Sequence, residues 1–200
     1  MEVLAETRRN IPVMRDPMDL LLTRRSVGKI RADPVPREVV EEILVAAIQA
    51  PNHHLTEPWR FVVLTGAARR AVGEAHAAAV RRKRPDCGVD VIAREAGRLE
   101  RAPVVIACIV TGDGADPVRA REDRDAVAAA TQNLLLAAHA RELATMWRTG
   151  EIVDEDEVRA ILGLGAADAI VGFVYLGFAD VLPPPRERSA IGTVVEWRDG

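Results

Sequence analysis

Two short polar stretches carry the side chains of this chain that are best suited to hold an anionic ligand. The first stretch is Arg24, Arg25 and Ser26, and the second is Trp147, Arg148 and Thr149. Guanidinium forks bind phosphate oxygens in pairs, and a neighbouring hydroxyl adds a further contact. The first stretch alone is also typical of a helix end, because basic residues there offset the helix dipole. The second stretch follows a strand-like segment and alone is equally typical of surface polar residues. Together they indicate an anion site more strongly than either does alone.

Motifs for covalent or metal-assisted catalysis are absent from the sequence. There is no G-x-S-x-G, no G-x-x-x-x-G-K-[ST] and no H-E-x-x-H pattern. Gly163 and Gly165 follow a predicted helix rather than a strand, which excludes the usual dinucleotide-binding turn. No nucleophile with its own base is visible, so what remains is a pattern of anion and ring contacts.

The charge pattern argues against nucleic acids and anionic membranes as partners. The net charge is -3, and the 27 Lys and Arg residues are spread along the chain. The densest basic run, Arg81 to Arg84, is predicted to be the solvated end of a surface helix. Cys87 and Cys108 have no metal or redox spacing, which favours reduced thiols in a cytoplasm. The amino terminus lacks the pattern of a secretory signal, and no apolar run reaches the ~20 residues that span a bilayer.

The elements that must position the polar stretches are helices interspersed with short strands. A chain of 200 residues that is 48% hydrophobic can form one domain with a sizeable core. Helical spacing and capping signals predict helices over residues 17–22, 38–47, 67–84, 89–101, 122–143 and 154–162. Runs of β-branched residues predict strands over residues 61–64, 104–110 and 170–177, with a strand-like segment at 144–150. The pattern predicts an α+β domain over residues 16–182, with a small mixed β-sheet flanked by helices.

The two ends of the chain have their own patterns. Residues 1–15 are interpreted as an extension of the fold. Residues 183–200 form an arm that begins with Pro183, Pro184 and Pro185 and ends in a β-like segment over residues 191–197. Such an arm is predicted to pack on a second subunit.

Several of these stretches, taken in order and with their spacing, resemble the FMN-dependent nitroreductase family. The matching stretches are Arg24–Ser26, Ala50–His53, Pro58–Val63, Trp147–Gly150 and Ile170–Gly177. The resemblance covers roughly residues 17–182 and is closest to the small, single-domain branch of that family. It implies a nitroreductase-like fold and an intertwined homodimer with FMN at the subunit interface.

The resemblance assigns a role to each candidate side chain. The implied FMN-binding residues are Arg24, Arg25, Ser26, Gln49, His53, Trp147, Arg148 and Thr149. The first three would hold the phosphate, ribityl and pyrimidine side of the flavin, and Arg148 would be a further phosphate ligand. Gln49 and His53 match positions that reach the flavin bound mainly by the partner chain. Residues Pro34–Val39 and Ala137–Glu142 match places assigned to a nicotinamide cofactor.

The implied activity is that of an FMN-dependent NAD(P)H oxidoreductase. NADPH or NADH would pass a hydride to the flavin and leave, and a nitroaromatic, quinone or related small acceptor would then take the electrons. The protein would supply binding, stacking and stabilisation of the negative charge on the reduced pyrimidine ring. This division of labour explains why the sequence contains no catalytic triad.

Two positions depart from the family pattern. Many relatives have a basic residue two places after the serine and an aromatic residue two places further on, whereas this chain has Gly28 and Ile30 with Lys29 between them. Relatives also commonly have polar uncharged residues before the Pro-Trp pair, whereas Thr56 and Glu57 precede it here. A carboxylate at that place would disfavour anionic substrates.

The connector over residues 51–60 concentrates polar and aromatic side chains in a chain that has only three Trp and four His. The resemblance makes this connector one wall of a flavin pocket shared between subunits. Trp59 is predicted to pack in the core, since strand starts often bury an aromatic ring. His54 is the weaker of the two connector histidines as a flavin contact, and His76 and His139 are assigned core or surface roles within helices.

Two alternatives to a reductase follow from the same residues. Gly28 and Glu57 motivate an FMN-binding or storage protein with little turnover. A helical interaction module without a cofactor, in which both arginine stretches lie on the surface, would give a colourless protein that gains no yellow on adding FMN. Oxidation of NADPH or NADH with a generic quinone would count against the storage protein.

Overall fold

The computed structural model describes residues 16–112 and 116–199, so the predicted extension over residues 1–15 lies outside the described part. The helices are α1 (Pro17–Thr23), α2 (Arg37–Ala47), α3 (Gly66–Lys83), α4 (Val89–Ala96), α5 (Pro117–Ala140) and α6 (Asp156–Ile161). The strands are β1 (Trp59–Leu64), β2 (Val104–Val110), β3 (Ala144–Arg148) and β4 (Ala169–Gly177). Short 3-10 turns lie at His53–Leu55, Arg98–Arg101, Glu151–Val153 and Ile191–Thr193.

The four strands form one sheet in the order β1-β2-β4-β3. Every neighbouring pair of these strands is antiparallel, and a parallel pairing occurs at the isolated bridge between Ser26 and Thr145. Successive side chains of β2 point to opposite faces, so Ile106 packs with α2 and α5 while Val105 packs on the side of α3 and α6. Every residue of β2 is buried. The fold is therefore an α+β domain with helices on both faces of the sheet, as the sequence predicts, whereas the sheet predicted to be mixed is antiparallel throughout its four strands.

The longest helix begins earlier than its apolar pattern indicates. The sequence predicts a helix over residues 122–143, whereas α5 runs from Pro117 to Ala140. The Asp116 carboxylate accepts a hydrogen bond from the Val118 N–H at 2.8 Å, and Pro117 occupies the first helical position. The prediction missed this cap because it was assigned to a loop. The helix ends before Glu142, whose φ of 60° is left-handed.

Two other boundaries correct the sequence prediction. The helix predicted over residues 89–101 divides at Gly97 into α4 and the 3-10 turn Arg98–Arg101. The β-like segment predicted over residues 191–197 forms a short 3-10 turn and no strand in the described part of the arm. Trp197 is 85% exposed there, since the described protomer supplies no neighbouring strand to pair with it. None of the described helices is both long and apolar enough to cross a membrane.

Candidate functional site

An open cavity of about 520 Å³ lies where the end of α1 meets β3 and the proline-rich arm. We call it the arginine cavity, and it is lined by Leu21, Leu22, Arg24, Arg25, Ser26, Met146, Pro183, Pro184, Arg186 and Arg188. The predicted stretch Arg24–Ser26 thus forms part of a real concave surface. Arg186 and Arg188, which sequence reasoning missed, bring two more guanidinium groups to it.

The arginine cavity concentrates positive charge without paired carboxylates. Among the described residues, no carboxylate oxygen lies within 4.0 Å of a guanidinium nitrogen of Arg24, Arg25, Arg186 or Arg188. Burial, together with the charges of Arg188 and Arg25, lowers the pKa of Arg24. Arg25 donates only to carbonyl oxygens, including that of Leu22 at 2.9 Å. Like charges gathered in this way repel one another, so a bound anion would stabilise the arrangement.

The backbone that follows α1 is fixed to the edge strand of the sheet. The Val27 N–H donates to the Thr145 carbonyl at 2.9 Å, beside the bridge that Ser26 makes with the same residue. A Cβ added to Gly28 would lie 3.7 Å from the Met146 sulfur. A side chain at this departure from the family pattern would therefore begin next to Met146.

A second cavity of about 520 Å³ adjoins the first and shares two of its arginines. It extends to the end of α5, where His139 and Glu142 line it. The Thr23 hydroxyl donates to the Asp19 carbonyl at 2.6 Å, so its oxygen accepts from His139 Nε2 at 2.9 Å, which places a proton on that nitrogen. Part of Ala137–Glu142, predicted to contact a nicotinamide cofactor, is thus next to the arginine cavity.

The stretch around Arg148 is divided between the two faces of the sheet. Trp147 packs on the side of α2 and α5, and its buried indole N–H has no acceptor. Arg148 lies on the other face, with its guanidinium carbon 5.5 Å from the centre of the Tyr175 ring. Thr149 is exposed beyond the end of β3. None of these three residues lines the arginine cavity, whereas Met146 of the same strand does.

Gln49 and His53 lie apart from the arginine cavity. The Gln49 side chain is exposed, and its amide donates to the Val45 carbonyl at 3.2 Å. His53 lines a separate open cavity of about 360 Å³ together with Glu122 and Asp125 of α5. The single protomer therefore does not bring all eight predicted FMN-binding residues together, and the predicted contact of Gln49 and His53 with a partner's flavin stays a prediction.

The connector between α2 and β1 has unusual backbone geometry. His54, Leu55 and Glu57 have φ angles of 56°, 53° and 45°, in the left-handed region. The loop is held by Thr56, whose hydroxyl donates at 2.6 Å to the buried carboxylate of Asp123. Strained backbone of this kind clusters at ligand-binding and switch regions. Trp59, at the start of β1, packs against the core as predicted.

The other predicted nicotinamide stretch contributes to a different cavity. Pro34 and Val35 line a cavity of about 540 Å³ that also includes Arg69 and Arg101. The stretch Ala137–Glu142 does not line this cavity. The structure therefore does not join the two predicted nicotinamide stretches in one space.

The basic run lies at the exposed end of α3, as predicted, and carboxylates pair with most of it, which the prediction did not include. Three of its side chains form ion pairs with the segment around α6: Arg82 with Glu157 at 2.9 Å, Lys83 with Glu155 at 2.9 Å and Arg84 with Glu151 at 2.6 Å. These carboxylates neutralise the run, so it offers little charge to an outside anion.

The fold and the arginine cavity define an α+β protein that gathers four guanidinium groups in an open cavity at the edge of its sheet. Residues 21–178 match the model of the nitroreductase family. The chain therefore belongs to the nitroreductase family of oxidoreductases, as the resemblance of its motifs implies.

Three known proteins illustrate this similarity. A Bacillus subtilis protein with the provisional name NAD(P)H nitroreductase YfhC is 30% identical over 175 residues, which covers 86% of this chain and 89% of that protein. The crystal structure of a nitroreductase-like family protein from Bacillus cereus is 25% identical, with a TM-score of 0.81, covering 95% of this chain and 100% of that one. The structure of a provisionally named nitroreductase from Desulfovibrio desulfuricans in complex with FMN is 25% identical, with a TM-score of 0.72, covering 93% of this chain and 99% of that one.

Proposed function

We propose that this chain is an FMN-dependent NAD(P)H oxidoreductase that serves a nitroaromatic, quinone or related small acceptor by a ping-pong mechanism. The observation that carries the proposal is the arginine cavity at the sheet edge of a nitroreductase-family chain, whose guanidinium groups have no carboxylate partner within the described part of the chain. The relative from Desulfovibrio desulfuricans, whose structure contains FMN, supports FMN as the cofactor. A cytoplasmic location stays a prediction from the cysteine pattern.

The residues of the arginine cavity fit the phosphate end of FMN. Arg24, Arg25, Arg186 and Arg188 offer guanidinium donors to which residues 16–112 and 116–199 supply no carboxylate partner, and the exposed Ser26 offers a hydroxyl. Charge-assisted hydrogen bonds from such groups are roughly twice as strong as neutral ones. The half-buried Met146 supplies a polarisable apolar surface beside them, which suits contact with an aromatic ring.

Bound FMN would supply the hydride chemistry, because its ring accepts a hydride from a nicotinamide and passes electrons to an acceptor. The side chains of the protein bind and orient. Arg24 stays protonated at neutral pH despite its lowered pKa, because guanidinium groups titrate far above that range. The cluster also attracts phosphate-bearing cofactors from solution, since unpaired like charges around a cleft raise the local concentration of opposite charges.

We also propose that the working protein is a homodimer. The first helix exposes its apolar side, with Met18 at 58% and Leu22 at 70%, and the arm exposes Trp197 at 85%. A second copy covering these side chains would also bring Gln49 and His53 to the flavin of its partner. Light scattering during gel filtration should give about twice the 21.8 kDa of one chain, and the double substitution Leu22→Glu with Trp197→Glu should reduce that mass and the retained FMN together.

The test of the reductase is a visible spectrum recorded in three steps. The purified protein is incubated with FMN and desalted, and anaerobic NADPH and then NADH are added in the same cuvette. Retained yellow colour that bleaches with either donor and returns on adding a quinone is the expected result.

Two other results would overturn the proposal in different ways. Yellow colour that persists with both donors would favour the storage protein. Colour lost entirely on desalting, with no quenching of FMN fluorescence by added protein, would contradict FMN binding altogether. A heat-denatured sample processed in parallel corrects for FMN carried through the column.

A further inference from the structure

Two arginines in the described part of the chain lie over an aromatic ring, and Arg148 differs from the other one. Arg31 and Arg148 each place the guanidinium carbon 5.5 Å from a ring centre, over Phe178 and Tyr175 respectively. Arg31 also has the Asp33 carboxylate at 3.1 Å. Among the described residues no carboxylate lies within ion-pair distance of Arg148, and its buried Nε has no acceptor.

This difference indicates that Arg148 meets an anionic group in the working protein. The Arg148 side chain is partly buried, so water cannot solvate its charge fully. A buried or half-buried cation without a partner anion costs free energy. The aromatic face of Tyr175 offsets part of that cost and leaves the Nε donor unused.

The Tyr175 ring is fixed by burial and by a hydrogen bond from its hydroxyl group. Tyr175 is only 3% exposed, and its hydroxyl donates to the Arg98 carbonyl at 3.1 Å. Arg98 Nε lies 2.7 Å from the largely buried carboxylate of Glu95, a close ion pair although its geometry is not that of a directed hydrogen bond. The ring is therefore held between β4 and the turn after α4, and it gives Arg148 a rigid platform.

The position of Arg148 along its strand places it next to the arginine cavity. Residues 146 and 148 point to the same face of the sheet, since side chains alternate along a strand, and they are separated by roughly 7 Å. Met146 lines the arginine cavity and pairs with Tyr175 in the strand register. Arg148 is the next side chain on that face, beyond Met146 and away from the four clustered arginines.

We propose that Tyr175 is a positioning residue of the flavin site, whose ring holds the Arg148 guanidinium beside the part of FMN that becomes negative on reduction. This inference rests on the proposed function and changes the role of Arg148 from a phosphate ligand to a cation at the ring. The arginine cavity already holds four guanidinium groups for the phosphate. Gly28 supplies no side chain next to Met146, whereas Arg148 places a guanidinium group one position further along the same face of β3.

The two roles of Arg148 predict different binding results. A phosphate ligand interacts equally with oxidised and reduced FMN, so its loss would weaken both by the same factor. A cation at the ring stabilises the reduced form more, so its loss changes the ratio of the two dissociation constants and lowers the midpoint potential of the bound flavin. We expect Arg148→Met and Tyr175→Leu each to reduce the preference for reduced FMN about 3- to 30-fold.

The experiment compares these variants by spectroelectrochemical titration of bound FMN and by fluorescence titration of oxidised FMN. Tyr175→Phe keeps the ring and should recover most of the wild-type preference. The double variant of Arg148→Met with Tyr175→Leu should be no worse than Arg148→Met alone, because both changes remove one interaction. Phe178→Leu is the matched control, since it removes the ring of the Arg31 pair and should leave the preference unchanged.

Three results would overturn the inference. Equal losses of affinity for oxidised and reduced FMN in Arg148→Met would show that Arg148 is a phosphate ligand. A folded Tyr175→Leu variant with the wild-type preference for reduced FMN would show that Tyr175 does not position Arg148. If that variant fails to fold, the result for Arg148→Met alone decides. Failure of the wild-type protein to bind FMN would overturn the proposed function as well. If NADPH reduces FMN bound to the wild type but Arg148→Met leaves the midpoint potential of the flavin unchanged, only this inference is overturned.

Discussion

The two arginine-rich regions of this protein have similar composition and opposite electrostatics. The run at the end of α3 faces the acidic segment around α6, and three of its four basic side chains form ion pairs. The arginine cavity gathers four guanidinium groups from the segment that follows α1 and from the carboxyl-terminal arm, and the described residues give none of them a carboxylate partner. The first region is neutralised by its own fold, and the second depends on an outside anion for neutralisation.

The comparison shows that the number of basic residues does not identify a binding site. In the sequence, Arg81 to Arg84 is the denser run, whereas the arginines of the cavity are separated by about 160 residues of chain. The distinguishing feature is whether the fold places carboxylates opposite the cations. A cluster of like charges without carboxylate partners lowers the stability of the folded protein and favours the binding of an anion.

The largest expected effect is the loss of the first two cavity arginines. Arg24→Gln combined with Arg25→Gln removes two charged donors, and hydrogen bonds to charged groups contribute about 1.5–3 kcal/mol each. We therefore expect FMN to bind about 100-fold more weakly or worse, measured by quenching of flavin fluorescence. The protein itself should be no less stable, because repulsion among the arginines falls.

The matched control for this double variant lies in the paired run. Arg82→Gln combined with Arg84→Gln also removes two positive charges, so it matches the change in net charge. Wild-type FMN affinity is expected. A loss as large as that of the cavity variant would mean that total charge, rather than the arginine cavity, governs binding.

A carboxylate introduced into the arginine cavity should form ion pairs with its arginines, as the carboxylates near α6 do with the basic run of α3. Met146→Glu places an acidic side chain on the cavity wall beside Arg24 and Arg25. The new carboxylate would pair with these arginines and repel the flavin phosphate, so we expect FMN to bind about tenfold more weakly or worse. The cofactor-free protein should melt at a higher temperature. Met146→Gln is isosteric and uncharged, and if it weakened FMN binding equally the effect would be steric.

Removal of a cation from the paired run should reduce stability and leave binding intact. Lys83→Met leaves Glu155, which is 1% exposed, without its partner at 2.9 Å. An unsatisfied buried polar group costs about 1–3 kcal/mol, and we expect a loss of that size in the free energy of unfolding by urea. Arg82→Gln, in an exposed pair, should shift the melting temperature by less than about 2 °C. If Lys83→Met and Arg82→Gln lowered the free energy of unfolding equally, burial of the Glu155 carboxylate would not determine the strength of its ion pair.

The sequence predicted local features of the fold and site well, because their signals lie within one segment. The strand Val104–Val110 was predicted with its observed bounds, since a β-branched run follows Pro103. Arg24–Ser26 was found because its three polar groups are consecutive. The start of α5 was missed because Asp116 and Pro117 were read as loop residues rather than as a cap.

Features that depend on distant parts of the chain could not be predicted in this way. Arg186 and Arg188 resemble surface residues of a proline-rich arm, although their alternation in an extended segment puts both on one side and could have signalled a shared contact. The fit of Trp147 against Gly172 is also invisible in the sequence, and a Cβ on that glycine would overlap the indole. Whether Gln49 and His53 complete the site depends on a second chain, which no pattern within one chain specifies.

The smallest expected effect is a pH dependence of stability on the paired side of the molecule. His76 is 2% exposed, and its Nε2 lies 3.5 Å from Glu95 Oε2. Burial lowers the pKa of His76, with Arg98 adding to the effect, while Glu95, Glu155 and Glu151 oppose it. The unfolded chain therefore takes up a proton near pH ~6.5 that the folded protein does not, so stability is complete above that pH and falls as the pH decreases through it.

His76→Gln should flatten the dependence of the unfolding free energy on pH between about 5.5 and 7. An unchanged slope would show that another group titrates there, and the FMN affinity of the variant should match the wild type at every pH because His76 does not line the arginine cavity.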